Sequence, residues 1–130
     1  MRTRNLATFS MRGVRAVTDY GPGPWLHMCL DGARETLTWT RDSNPAHEDE
    51  VVAEIQFWSA ALQFLASGAE PPADRRAPAT VTLESVREAA DYTIARYRES
   101  LDTGAPEPVN EVLPPGIADW QRLRDFVDAY

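Results

Sequence analysis

A chain of 130 residues, 43% hydrophobic and 25% charged, has the size and make-up of one globular domain over residues 1–130, large enough to bury a core without staples. Its 13 basic residues are all arginine and stand against 20 acids, net −7, so Schiff-base, Walker-A and kinase-type lysine chemistry is excluded. An acidic surface repels phosphate backbones, which disfavours nucleic-acid binding and leaves a basic protein partner, or simple solubility, as what the charge serves.

The charge is unevenly placed. Residues 1–41 hold six arginines (Arg2, Arg4, Arg12, Arg15, Arg34, Arg41) and three acids (Asp19, Asp31, Glu35), net +3, and the remainder is net −10. Cys29 is the single cysteine and allows no intrachain disulfide. No apolar run follows Met1-Arg2-Thr3-Arg4, and nothing approaches the roughly 20 apolar residues of a membrane span. These features predict a cytoplasmic protein with no membrane association.

Along the chain, Ala7, Phe9 and Met11 alternate with Thr8, Ser10 and Arg12, a weak strand pattern within residues 5–20. Gly21-Pro22-Gly23-Pro24 reads as a rigid break. Trp25–Leu30 and Glu35–Arg41 then flank Gly32-Ala33, which suits a type II′ turn. That register pairs Met28 with Leu37 and Leu26 with Trp39 on one apolar face, and predicts a β-hairpin with Trp39 in the core. From about Pro45 to Ser67 a helix is predicted, with Asn44 as cap, Glu48, Asp49 and Glu50 in its first turn and Gly68 ending it. Its stripe is Val51, Ile55, Trp58, Leu62 and Leu65, with Phe57 and Phe64 on a second ridge. A second helix is predicted from about Leu83 to Leu101, capped by Thr82, with Val81 packing on Val86 as a staple and Gly104 as the stop. Proline-rich residues 105–116 read as a connector before a last helix from about Ile117 to Tyr130. Strands first and helices later predict an α+β fold: a small antiparallel sheet, from the N-terminal strand or strands and the hairpin, covered on one face by three helices.

No phosphate loop, nucleophile elbow, CxxC pair or HExxH motif is present. His27 and Cys29 alternate on one predicted strand, a spacing that permits but does not enforce a nucleophilic pair. His47, Glu50 and Glu54 resemble half of a carboxylate metal site, but no facing ligands are supplied, so neither metal nor cofactor is expected. Glu54 lies at the edge of the apolar arc, where desolvation would suit a general acid or base. Tyr92 stands among Glu84, Glu88, Asp91 and Glu99 on the polar side of the second helix, a pattern met in interfaces.

The stretch Val81-Thr82-Leu83-Glu84-Ser85-Val86-Arg87-Glu88-Ala89-Ala90, continued to Thr103-Gly104-Ala105-Pro106, resembles the C-terminal part of small bacterial toxin-immunity proteins over about a fifth of the chain. Together these features predict a non-enzymatic protein-binding module, of immunity, inhibitor or accessory type. Its partner is a protein with a basic surface, met by Glu84, Glu88, Asp91, Tyr92 and Glu99 or by Phe57 and Phe64, and a homo-oligomer is compatible with it. The alternative is a small-molecule-binding or isomerase-like α+β domain, with Glu54 or His27 in a pocket between sheet and helices.

Overall fold

The computed structural model describes residues 20–130. Four α-helices fill them: α1 (Gly23–Ser43), α2 (Glu48–Ser67), α3 (Thr80–Asp102) and α4 (Val109–Ala129), with a 3-10 turn, Pro45–His47, between α1 and α2. No strand occurs among the described residues, which overturns the α+β expectation. The strand pattern of residues 5–19 lies outside them.

The predicted hairpin is a single helix, α1. Its sequence fits both periods, because Leu26, Leu30, Ala33, Leu37 and Thr40 also recur at helical spacing. The helical set is the one that is buried: Leu26, Leu30, Ala33 and Thr40 are each 5% exposed or less. Met28 and Trp39, assigned by alternation to the core, stand outside. The threonines that read as strand formers are accommodated by side-chain bonding to the previous turn, Thr36 Oγ1 donating to the Gly32 carbonyl at 2.9 Å and Thr38 Oγ1 to that of Arg34 at 3.4 Å. Pro24 is accommodated in the first turn of the helix, where proline has no intrahelical donor to lose.

In α2 the acidic first turn and the left-handed Gly68 at its end, φ 75°, agree with the sequence reading, but Asn44 makes no side-chain cap. α3 starts at Thr80, so Thr82 and Val81 lie inside the helix, and Val81 is exposed instead of stapling Val86. α4 begins well before Ile117 and runs through Pro114 and Pro115. These prolines deprive the Asn110 and Glu111 carbonyls of helical donors, but both residues are exposed, so solvent can take the lost bonds.

α1 packs along α2 and α3 along α4, and the two pairs meet where α2 contacts α4. Both pairs run antiparallel. Arg41 near the end of α1 meets Glu48 at the start of α2, while Trp25 near its start meets Trp58. Likewise Arg87 and Asp91 of α3 reach Asp128 and Arg124 of α4, in reverse order. One core runs through all four helices, with Leu26 and Leu30 from α1, Phe57 and Trp58 from α2, Val86 and Ile94 from α3, and Trp120 and Phe126 from α4.

Candidate functional site

α3 is held down on one side. Val86, Ala90 and Ile94 are buried, and Arg87–Asp128 at 2.9 Å and Arg124–Asp91 at 3.0 Å tie its flank to α4. The opposite side is therefore free to face outward. At 100° per residue, Val81, Glu88, Tyr92 and Glu99 form one stripe there, with Glu84 beside it. Val81 is 67% and Tyr92 63% exposed. The tyrosine is not loose: Arg96 donates to its hydroxyl at 2.8 Å, and the guanidinium sits 5.6 Å from the ring centroid. An aromatic ring is thus presented with its rotamer held, among exposed carboxylates. Asp91 differs from the other acids of the group, being occupied by Arg124.

Phe57 and Phe64 lie elsewhere. Phe57 is fully buried, 4.9 Å from Tyr130 and 6.1 Å from Phe126 between ring centroids, so it offers no surface to a partner. Phe64 is half-buried, its ring 5.0 Å from Phe126. The second ridge of α2 is covered by α4 of the same chain. Arg122 of α4 completes this join: it donates to the Phe64 and Leu65 carbonyls at 3.1 and 3.3 Å, at the end of α2, where the Phe64 carbonyl also accepts from the Gly68 N–H at 2.7 Å.

The groups considered for acid, base or metal chemistry are dispersed. Glu54 accepts from Trp58 Nε1 at 3.0 Å. Burial first, and the Glu54 carboxylate second, push the Cys29 thiol up to about 11, which leaves it protonated and a poor nucleophile at neutral pH. His27 is exposed and lines an open cleft of about 510 Å³ with Gly21, Pro22, Leu62 and Asp119, to which Glu54 does not contribute. His47 Nδ1 and Glu50 Oε1 are 2.7 Å apart, and that hydrogen bond holds the Glu50 carboxyl below its usual range. No group of three or more His, Cys, Asp or Glu among the described residues is placed to hold a metal ion, and none of these helices is long and apolar enough to cross a membrane.

The sequence reading missed Met28, Trp39 and Val81 as surface residues, and the signal was there. Met28 and Trp39, like Val81 and Tyr92, are eleven residues apart, which is three helical turns. Seen on a helix, each pair shares a face that carries no core residue. Comparison with protein-family models, curated proteins and solved structures finds no match for this chain.

Proposed function

We propose that this protein is a non-enzymatic protein-binding module that presents the outer face of α3 to a partner with a basic, partly apolar surface. The observation that carries this reading is Tyr92, a large ring 63% exposed yet hydrogen-bonded by Arg96, on one stripe with Val81, Glu88 and Glu99 and with Glu84 beside it. A held aromatic loses little entropy on binding, and the surrounding charge steers association. An immunity, inhibitor or accessory role fits such a surface. The isomerase-like alternative loses its support, because it needs a sheet to wall its pocket and the described residues contain none.

The test is parallel capture from host lysate with the wild-type protein, Tyr92→Ala, and a Glu84→Gln/Glu88→Gln/Glu99→Gln variant. A protein held by the wild type should be lost with Tyr92→Ala, and its association with the triple variant should be slower and less salt-sensitive. Equal capture by all three would place the binding surface elsewhere or abolish it.

A further inference from the structure

The outer side of α3 leaves its acids without counter-ions. Glu84, Glu88, Glu99 and Asp102 are exposed there, and none of them makes an ion pair among the described residues. Arg96, on the same side, is turned onto Tyr92. The outer side of α1 offers less unbalanced charge, because Asp31 is met by Arg34 and only Glu35 and Asp42 remain. The chain itself holds the complement. Residues 1–19 carry Arg2, Arg4, Arg12 and Arg15 against Asp19 alone, net +3, while residues 20–130 are net −10. Leu6, Phe9, Met11, Val14 and Val17 are interspersed with those arginines. A basic, partly apolar segment is the chemistry that a face of Tyr92, Val81 and unpaired carboxylates recognises.

We propose that residues 1–19 occupy the outer face of α3 in the same chain, an internal contact that a partner must displace. The point of departure favours α3. Tyr20 packs edge-on against Tyr97 of α3, with 5.6 Å between ring centroids, and its carbonyl accepts from Trp120 Nε1 at 3.0 Å. Tyr97 is on the inner side, so the segment has to pass one flank of the helix. One flank is tied to α4 by Arg87–Asp128 and Arg124–Asp91, whereas the other carries the uncharged Ala89 and Thr93. Length is sufficient: nineteen residues span up to about 60 Å when extended, against roughly 34 Å for the whole of α3. Attachment at Tyr20 gives the segment an effective concentration on the order of millimolar, so contacts too weak to hold a separate chain are populated within one. The proposal takes from the preceding reading only what the contact regulates, since the contact itself needs no partner.

Paramagnetic broadening in the full chain tests this, with a nitroxide on Ser10→Cys in a Cys29→Ser background and circular dichroism to confirm folding. At low salt the amides of Glu84, Glu88, Tyr92 and Glu99 should broaden, and dilution should not change the pattern. The broadening should be lost near 1 M salt, where the screening length falls to about 3 Å, and in the Glu84→Gln/Glu88→Gln/Glu99→Gln variant. A second measurement needs no label: Arg4→Ser/Arg12→Ser/Arg15→Ser in the otherwise native chain should shift the same α3 amides and leave those of α2 in place. Absence of broadening on α3, broadening centred on α1, or broadening that appears only at high concentration and so comes from a second copy overturns the proposal. Lysate capture that depends on Tyr92 without any such broadening sinks this inference alone. Broadening on α3 with equal capture by all variants sinks the partner reading and leaves the internal contact standing.

Discussion

Two residues show how single side chains are placed at the joints between helices. Arg122 leaves its own helix to serve another: it meets the last carbonyls of α2, stacks 5.1 Å from the Phe64 ring centroid, and keeps Asp119 at 3.3 Å as counter-ion. Cys29 sits at the α1–α2 contact with its thiol pushed up to about 11, and this has a consequence for stability. An unfolded chain releases the thiol proton near the ordinary value of 9.0, while the folded chain keeps it to about 11. The folded state then binds more protons, so the Cys29 contribution is fully present below pH 9 and is lost as pH rises from about 9 to 11. Urea unfolding across that range should show wild type losing stability relative to Cys29→Ser. Tyr97 and Tyr130, raised by burial in the same direction, are common to both proteins and cancel in the comparison. Parallel curves for the two proteins would mean that Cys29 is solvated in the fold.

At the scale of elements, α1 and α2 show opposite outcomes for large aromatics. Phe57 on α2 is fully buried and Trp39 on α1 is out in solvent. Phe57→Ala should therefore cost about 3–5 kcal/mol by leaving a cavity in the core. Trp39→Ala should change stability by less than about 1 kcal/mol. Chemical denaturation of both variants decides this, and a large loss for Trp39→Ala would return it to the core face that strand alternation had assigned. The start of α4 depends on a different contact. Gly116 faces Tyr20, and a Cβ there would stand 3.2 Å from both the Tyr20 Cβ and its carbonyl oxygen. That same carbonyl accepts from Trp120 Nε1 at 3.0 Å, so the segment entering α1 is pinned against α4 where a side chain has been left out.

Over the whole molecule, one continuous core links the two antiparallel pairs. Trp25 lies 5.8 Å from Trp58 of its own pair and 5.8 Å from Trp120 of the other, between ring centroids. Neither pair has a complete core of its own, since α2 covers α1 on one side and α4 on the other. The protein should thus unfold in one cooperative transition, with tryptophan fluorescence and far-ultraviolet circular dichroism coincident in urea. Separated transitions would show the two helix pairs to be independent units. The exposed pairs Arg87–Asp128 and Arg124–Asp91 fix the register of α3 on α4, and salt should screen them with little effect on that transition.

Periodicity legible along the chain suffices for three of the four helices in substance. α2 has two apolar ridges and α3 one, both at helical spacing with a glycine just past the C-terminal end, and the second half of α4 shows Trp120, Leu123 and Val127 on one side. It also determined the acidic, aromatic outer face of α3, because the residues that α3 must bury leave Tyr92 and its carboxylates no other side. Tertiary structure alone decided α1. Leu26 is buried under either period, and the choice between Trp39 and Leu30 as its companion depends on what lies opposite. That is α2, which meets α1 on the side that carries Trp58, and a helix packs along it with Leu26, Leu30 and Ala33 buried. Tertiary structure likewise decided that α4 continues back through Pro114 and Pro115, since local rules stop a helix there. Burial of Leu113 and the close seat of Gly116 on Tyr20 accompany that extension, while the carbonyls the prolines abandon stay in reach of solvent. Local periodicity cannot rank two patterns that fit equally well, and the surface each would have to cover is a property of the assembled chain.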